Sequence, residues 1–470
     1  MRWLILLHRY LGIAVGWLLV VWCLSGVVMM YVGFPEVSLA ERVRTLPELR
    51  LERCCSMDPT FGGVDVDSAH VEMLGAEPVL RVADAFGRTW ALGLEDGRFI
   101  DGLSAADARA AADALGHGAK PAYLGVVERD QWTVTAQYEA HRPLHHFALE
   151  DDAGTEWYLS GTTGELVQMT TRTERFWNWL GSVPHWLYPT LLRQNGPLWV
   201  QAVIGTSLVG LFLTTLGLYI GVVRLKRRRS GRWSPYRGVA LWHHLLGLGF
   251  GVLTLTWLAS GLLSVNPWGL LESSGAGFER ANLRGAELTL DDVRAWVERL
   301  GGEQAPPGTT RLELVPFAGA LQVLAYDRTG NPTRLRADTH EPAPLDEAAL
   351  ADAAARLAPA ERIQSAGLLT RGDEFYFDHH AQRAFPVYRV VLADADSTRY
   401  YIDAATGRLL QKVDSSRRWY RWLFEGMHRF DFTEVMRQRP LWDFLVIVLL
   451  AGVTGVCATG TYMGIRFLLR

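Results

Sequence analysis

FWNWLGSVPHWLYPTLLRQNGPLW, at residues 176–199, recurs with changes as WYRWLFEGMHRFDFTEVMRQRPLW at residues 419–442. The two segments belong to a longer match of residues 157–199 with residues 400–442. This match has no gap, keeps a constant offset of 243 and contains 13 identities in 43 positions. Similarity over such a length indicates an internal duplication.

A second match extends the duplication towards the N-terminus. At an offset of 235, residues 7–26 align with residues 242–261 and share 8 identities in 20 positions. Histidines are conserved between the two halves in both matches. His8 pairs with His243, and His185 pairs with His428. The chain therefore consists of two related halves that keep two histidine pairs.

Four stretches without Asp, Glu, Lys or Arg are long enough to cross a hydrocarbon core of about 30 Å, which needs about 20 helical residues. They are residues 10–35, 194–223, 238–271 and 444–465. The loop at residues 224–238 holds seven Lys or Arg, an excess typical of cytoplasmic loops. Both termini are then predicted to lie inside, and the two long polar segments outside, in the periplasm of a bacterial cell.

The polar segments contain four strand–turn–strand patterns with Gly, Asp or Asn at the turns. These are residues 79–100, 146–167, 321–338 and 387–410. Helical stretches that begin at Ser104, Thr289 and Asp346 precede three of them. Each outer segment is therefore predicted to contain two copies of a helix plus an antiparallel hairpin. Taken alone, such α+β modules carry no site.

Composition excludes several classes of protein. The 470 residues include 47 Lys or Arg and 50 Asp or Glu, and a net charge of -3 provides no cationic field for nucleic acid. Four cysteines exclude a disulfide framework, and without a CxxCH motif no covalent haem attachment is encoded. Cys54 and Cys55 are adjacent, and their pattern is compatible with a vicinal disulfide or with two thiols.

The histidine pairs predict two haem sites. Neutral imidazole is a good ligand for iron, and a b-type haem can be held by two histidines that face each other inside a helical bundle. His8 and His243 are predicted to ligate a haem near the cytoplasmic side, and His185 and His428 another just outside the membrane. Gly12 and Gly247, one turn after His8 and His243, would let a flat macrocycle lie against the backbone.

Structural roles compete with this interpretation. A histidine near a helix end can lie at the headgroup level or bond a neighbouring helix, and Gly-xxx-Gly is a common helix-packing face. His244 is a second choice as ligand or a contact for a propionate. His141 and His380, with His145 and His146, could shape a substrate or metal site above the membrane or be solvated strand residues.

Three segments resemble the PepSY-associated transmembrane family. They are RFWNWLGSVPHWLYPTLLR, SPYRGVALWHHLLGLGFGVLTLTWLASGLLSVNPWG and RWYRWLFEGMHRFDF. The hairpins that end in TGELV or TGRLL resemble PepSY domains, so the resemblance covers nearly the whole chain. Some members are similar to inner-membrane ferrisiderophore reductases with two b-type haems, which implies ligand roles for His8, His185, His243 and His428.

The resemblance implies an integral membrane α-helical fold class, with four transmembrane helices in two parallel repeats and two periplasmic α+β PepSY-like domains. The expected order is a first transmembrane helix at 1–35, a PepSY-like domain at 36–175, an interfacial helix and second span at 176–223, a basic cytoplasmic loop at 224–238, a third span at 239–271, a second PepSY-like domain at 272–417, and an interfacial helix and fourth span at 418–470.

The leading functional hypothesis is transmembrane electron transfer through two b-type haems to a ferric siderophore or another iron chelate. No flavin motif is present, so quinol or a cytoplasmic reductase is the expected donor, and the lipid bilayer is the other partner. Arg429, with Arg142 and His145, is predicted to dock the chelate. The alternatives are a membrane-anchored PepSY module that regulates a periplasmic peptidase or senses envelope state, and a haem or iron chaperone.

The charge distribution predicts the topology. A cysteine placed at Ser230 should not react with an impermeant thiol reagent added to intact spheroplasts, because a short loop with seven cations is hard to translocate. Labelling of that cysteine from outside would overturn the inside orientation of the loop.

Overall fold

The computed structural model describes residues 1–52, 54–57, 65–115, 119–226, 233–301, 305–377, 379 and 383–470. Its α-helices are α1 (Arg2–Met29), α2 (Leu39–Thr45), α3 (Ala105–Leu115), α4 (Arg172–Leu180), α5 (Ser182–His185), α6 (Thr190–Arg193), α7 (Gly196–Arg224), α8 (Val239–Ser264), α9 (Gly277–Arg284), α10 (Leu290–Leu300), α11 (Glu347–Ala354), α12 (Ser415–Tyr420), α13 (Met427–Arg429), α14 (Glu434–Arg437) and α15 (Leu441–Leu468). A π-helical turn, Arg421–Gly426, joins α12 to α13.

Sixteen strands lie in the described residues. They are β1 (Asp65–Leu74), β2 (Glu77–Asp84), β3 (Thr89–Gly93), β4 (Phe99–Ile100), β5 (Ala122–Val127), β6 (Leu144–Ala148), β7 (Glu156–Ser160), β8 (Leu166–Thr170), β9 (Leu288–Thr289), β10 (Thr309–Phe317), β11 (Ala320–Asp327), β12 (Pro332–Arg336), β13 (Ile363–Leu369), β14 (Val387–Leu392), β15 (Arg399–Asp403) and β16 (Leu409–Val413). Short 3₁₀ helices lie at Ala136–His141, Pro267–Gly269 and Ala360–Arg362.

Four of the described helices, α1, α7, α8 and α15, are long and apolar enough to cross a membrane. They form a ring in which α1 contacts α7 and α15, and α8 contacts the same two helices from the other side. Leu19, Leu213, Leu258 and Leu450 meet in the centre of the ring. This bundle is compatible with association with a membrane. The basic loop at 224–238 is described only in part, since residues 227–232 lie outside the described residues.

The strands form three antiparallel sheets. The largest has the order β12-β11-β10-β1-β2-β3-β4, with β9 paired to β1. The other two sheets follow chain order, β5-β6-β7-β8 in the first half and β13-β14-β15-β16 in the second. Helix α3 packs on the former and α11 on the latter. The helices expected after Ser104, Thr289 and Asp346 are present, and each of these residues caps its helix through its side chain.

The predicted fold class, integral membrane α-helical with two periplasmic α+β domains, is wrong. The protein is a mixed α/β structure in which 21% of the residues are strand, and its largest sheet is built from both halves of the chain. Strand β1 pairs with β10, with Ala69 opposite Leu314 and Val71 opposite Leu312. Separate domains would each leave one of these strand edges unpaired, and the pairing removes both edges.

A single hydrophobic core extends across this junction. Val71, Leu80 and Leu92 from the first half pack with Trp296 and Leu312 from the second. All five side chains are almost fully buried, and each contributes roughly 1.5–3 kcal/mol on burial. The two long polar segments therefore form one body, which we call the outer body, rather than two modules.

The other face of the junction holds a buried ion network around Glu72. Its carboxylate accepts from Arg42 at 3.2 Å, from Arg81 at 3.0 Å and from Arg311 at 2.5 Å. Glu165 also binds Arg42. Burial raises the pKa of Glu72, but the three guanidinium groups outweigh burial and lower it to about 2. Because Arg311 belongs to the second half, the network joins the two halves of the sheet.

We expect Glu72→Gln to lower the free energy of unfolding of the outer body by about 3–5 kcal/mol, because it leaves buried guanidinium groups without a counter-charge. Urea unfolding of the detergent-solubilised protein, followed by tryptophan fluorescence, measures the change. Asp96→Asn is the control, since Asp96 and Arg98 are exposed and such pairs contribute less than about 1 kcal/mol. Equal effects of the two variants would contradict the role of the network.

The same network sets a direction for the pH dependence of stability. Burial also raises the pKa of Glu313, but Arg311 and Arg408 lower it to about 2. A carboxylate with a depressed pKa contributes stability above its ordinary value of 4.5 and loses it as the pH falls through the folded value. Wild-type protein should therefore lose more stability than Glu72→Gln between about pH 4.5 and pH 2.

Candidate functional site

Two histidines from different halves meet at one end of the helical ring. His8 lies on α1 and His243 on α8, and their ring centroids are 6.2 Å apart. The Nδ1 of His8 is 3.2 Å from the carbonyl oxygen of Leu213 on α7, and the Nδ1 of His243 is 3.1 Å from that of Val456 on α15. Leu213 and Val456 are themselves related by the offset of 243. His8 and His243, which we call the inner pair, thus have corresponding carbonyl partners, and His243 Nδ1 also lies 3.1 Å from the hydroxyl of Thr459, whose counterpart in the first half is Leu216.

The other pair, His185 and His428, lies at the opposite end of the ring and is called the outer pair. Its two histidines belong to short helices rather than to the four long ones. His185 ends α5, which packs on α1, and His428 lies in α13, which packs on α8. Their ring centroids are 6.0 Å apart. His185 Nδ1 contacts the hydroxyl of Ser25 at 3.1 Å, and His428 Nδ1 contacts that of Ser260 at 3.0 Å. The 17 residues from His8 to Ser25 correspond to about 26 Å of helix, so the two pairs are separate sites.

Each of the four rings is anchored through one nitrogen only. A backbone carbonyl can only accept, so the Nδ1 of His8, His185 and His243 carries the proton and the other nitrogen keeps its lone pair. The Nδ1 of His428 meets the hydroxyl of Ser260, which already donates its proton to the carbonyl oxygen of Trp257 and therefore accepts from the ring. In the described part of the chain, no hydrogen bond reaches the Nε2 of His8, His185, His243 or His428. Histidines that ligate metals usually have one ring nitrogen fixed by such a hydrogen bond, and the other nitrogen binds the metal.

The spacing of the rings fits one metal ion between each pair. Imidazole nitrogens bind a transition metal at about 2.0–2.1 Å, so two rings on opposite sides of one ion have centroids about 6 Å apart. The observed separations are 6.2 Å for the inner pair and 6.0 Å for the outer pair. The separation within each pair therefore leaves room for one metal ion between the two rings.

Glycines adjoin the imidazole pairs. A Cβ placed on Gly217 would lie 2.7 Å from Cε1 of His8, and one placed on Gly460 would lie 3.0 Å from Cε1 of His243. Gly217 and Gly460 therefore let the rings pack directly on the backbone of α7 and α15. Next to these rings, a Cβ on Gly12 or Gly247 meets no heavy atom within 4 Å.

Burial keeps the outer imidazoles neutral. It lowers the pKa of His185 to about 4, and burial together with the neighbouring His185 and Arg429 lowers the pKa of His428 to about 3. At neutral pH both rings are uncharged, which is the form that binds a metal.

Tryptophan side chains fix the backbone that carries the outer pair. The indole of Trp199 donates to the carbonyl oxygen of Trp186 at 2.8 Å, and that of Trp442 donates to Arg429 at 2.6 Å. In each half the acceptor is the residue that follows the outer histidine. Trp257 also donates to the carbonyl oxygen of His428 at 3.0 Å.

The other histidines have different surroundings. His244 is buried and uses both nitrogens, with Ser234 at 2.8 Å and Gly221 at 2.9 Å. It has no lone pair to offer a metal. His141 contacts Ser160 in the outer body through its Nδ1 at 3.1 Å. His380 lies outside the described residues.

The three predicted docking residues are not brought together. The guanidinium of Arg142 donates to the carbonyl oxygens of Glu128, Thr133 and Thr135, and both nitrogens of His145 are engaged, by Tyr123 and Leu103. Neither side chain contacts Arg429 within the described residues. Arg429 adjoins a ligand candidate, lies over the ring of Phe424 at 5.9 Å and has no carboxylate partner in the described chain. Only Arg429 has donors to offer a docked anion.

A second group of possible metal ligands lies in the outer body. His70, Glu72 and Glu165 can bring one ligand atom each within 4.8 Å of the others. However, Arg42, Arg81 and Arg311 already bind these carboxylates. Three buried guanidinium groups would repel a cation, so we interpret this group as part of the ion network. Cys54 and Cys55, elsewhere in the outer body, are joined by a disulfide.

Sequence reasoning missed the residues that support the imidazoles. Ser25 and Ser260 were aligned identities, but nothing in the sequence indicates that their hydroxyls reach His185 and His428. Gly217 and Gly460 lie beyond the aligned segments, although they keep the offset of 243. Extending that offset along α7 and α15 would have found them.

Fold and site together define a class, a mixed α/β protein with four apolar helices and two half-buried imidazole pairs, one on α1 and α8 and one on the short helices α5 and α13. No family model matches the chain, and no curated protein matches it.

Proposed function

We propose that the protein binds two b-type haems and transfers electrons across a membrane to a ferric chelate, most simply an iron–siderophore complex. The observation that carries the proposal is the presence of two imidazole pairs at the separation that one metal ion between them requires. In both pairs the ring orientation is fixed by hydrogen bonds that leave Nε2 free.

In this proposal His8 and His243 hold the inner haem, and His185 and His428 the outer one. Haem iron, when bound, supplies one-electron chemistry. The chain's own contribution is to fix the four rings, to exclude water with the core of α1, α7, α8 and α15, and to place the outer pair beside the surface. Release of iron needs no covalent catalysis by a side chain, because reduction weakens the hold of hard oxygen ligands on the metal.

The proposed setting is the inner membrane of a bacterium. The loop at 224–238 and both termini would face the cytoplasm, and the outer body the periplasm, because the seven cations of that loop resist translocation. Quinol or a cytoplasmic reductase would be the electron donor. We also propose membership of the PepSY-associated transmembrane family, on the motifs quoted from the sequence.

Histidine variants test the two sites separately. His8→Ala or His243→Ala should remove one haem of two, and His185→Ala or His428→Ala the other, because the pairs share no ligand. Pyridine-haemochrome analysis of purified protein gives the number of haems per chain. His244→Ala is the matched control: it removes a buried histidine beside His243 that has no free nitrogen, and it should keep both haems. Two haems in all four ligand variants would refute the assignment.

Arg429 is the proposed docking residue for the chelate. Its guanidinium has five donors in a planar fork, and such a fork matches the paired oxygens of carboxylate or hydroxamate groups. It directly follows His428, so an anion bound there would lie near the outer pair. The corresponding residue of the first half is Trp186, which cannot provide this charge.

Arg429→Ala should slow the oxidation of the dithionite-reduced protein by a ferric trihydroxamate chelate at least several-fold. Both haems should remain bound and reducible, because the carbonyl oxygen that Trp442 uses belongs to the backbone. Stopped-flow absorbance at the Soret band measures the rate, and Arg193→Ala, which removes an arginine that lies over Tyr188 and Trp199, is the control. Unchanged kinetics with several chelates would exclude this docking site. No oxidation by any chelate would instead favour a regulatory module.

A further inference from the structure

A buried histidine–aspartate pair lies near the segment that carries His428. Nε2 of His379 is 3.4 Å from Oδ2 of Asp431, and both side chains are about 96% buried. The ring of His379 also stacks on Trp442 with centroids 4.2 Å apart. Since the indole of Trp442 donates to the carbonyl oxygen of Arg429, a single side chain separates His379 from the segment that carries His428.

Charged groups surround this pair on every side. Arg421 donates to the carboxylate of Asp431 at 2.7 Å, and Arg437 donates to its carbonyl oxygen at 3.1 Å. Glu425 lies 3.7 Å from Arg421, and the backbone of Asp373 accepts from Arg437. Burial raises the pKa of Asp431, but its bonds to His379 and Arg421 outweigh burial and lower it. The carboxylate is thus held ionised beside an imidazole.

The positions of the first half that correspond to His379 and Asp431 hold no such pair. The offset of 243 holds here, because Asp130 accepts from Trp132, Thr133 and Tyr158 as Asp373 accepts from Phe375, Tyr376 and Tyr401. At the positions of His379, Asp431 and Arg421, the first half has Ala136, Tyr188 and Asn178. The same framework is therefore stable without the acid–base pair. This difference between the halves argues for a chemical role rather than a structural requirement.

We propose that His379, paired with Asp431, stores the proton that accompanies the electron at the outer site. This inference rests on the proposed function and adds to it a proton that is taken up with the electron and released when the electron leaves. An electron on the outer site adds negative charge, and in a low-dielectric interior that charge favours a proton on the nearby imidazole. The coupling is reciprocal, so a proton on His379 also favours the electron.

The step balances in charge and atoms. As the outer site is reduced it gains one electron, and His379 gains one proton from solvent. As the site is oxidised again, the electron reduces chelated Fe(III) to Fe(II), and His379 returns its proton to solvent. A hydroxamate oxygen that loses iron takes up a proton in turn, since metal ligands bind iron in their deprotonated form. His379 does not contact the chelate in this proposal; its role is to hold the proton near the outer site.

Spectroelectrochemical titration of the purified full-length protein from about pH 5 to pH 8, where histidine titrates, tests the proposal. In wild type, one of the two midpoint potentials should fall as the pH rises. In His379→Gln this pH dependence should be lost. Asp431→Asn, a second variant in case the first fails to fold, should move it to lower pH because the imidazole loses its counter-charge.

His146→Gln is the matched control. His146 also pairs with a carboxylate, Glu156 at 2.9 Å, and stacks on an aromatic ring, that of Tyr158 at 4.3 Å. It lies in the first half on a strand of the outer body, so its loss should leave both potentials as in wild type. A merely structural role of buried histidines would affect the two variants alike.

Proton release gives a second readout. Ferricyanide stays intact on reduction and takes up no proton, so oxidation of the reduced wild type by ferricyanide in weakly buffered solution should release protons to a pH indicator, and His379→Gln should release fewer. The inference is overturned if the pH dependence of the potentials and the proton release of His379→Gln both match wild type, while the proposed function stands. A preparation without haem would overturn both.

Discussion

Four half-buried imidazoles at the two ends of an apolar helical ring are the constraint to which the rest of this structure is fitted. A polar ring without a partner costs several kcal/mol in such surroundings, so each Nδ1 is bonded to a carbonyl or hydroxyl of a neighbouring element. These bonds fix which helices are adjacent: His8 needs α7, and His243 needs α15. They also decide the chemistry, because the nitrogen that remains free is the one that can bind a metal.

The sequence predicted the imidazole pairs because, after a duplication, histidines that correspond in the two halves are separated by a constant number of residues. Two residues that face each other across a pseudo-twofold axis appear as one repeated histidine, and apolar runs locate the four long helices. The supporting contacts leave no such signal. A hydroxyl such as that of Ser25 has many possible partners in an apolar helix, and only packing selects His185. Likewise, Arg142 and His145 suggested a docking site by their charge, but their donors are used within the outer body.

The central sheet could not be predicted from local pattern. Strand β1 reads DVDSAHVEML, and its alternation of polar and apolar residues from 68 to 73 predicts one solvated face, yet His70 and Glu72 on that face are buried. They are buried because Arg311 comes from β10, more than 230 residues further along the chain. A strand whose polar side chains are neutralised by the other half can be recognised only when both halves are present. This is why the two outer segments were expected to be separate domains.

The two halves keep the same framework around the outer histidines but differ in the side chains that pack against it. The tryptophan that donates to the residue after the outer histidine is kept as Trp199 and Trp442, yet around it one half has Phe34, Trp132, Trp186 and Tyr188 and the other has His379, Arg421 and Asp431. The four aromatic side chains of the first half carry no group that titrates near neutral pH, whereas an imidazole beside a carboxylate can gain and lose a proton there. The duplicated framework therefore holds side chains of different chemistry at corresponding positions, and under the proposed function only the second half could compensate a charge at the outer site with a proton.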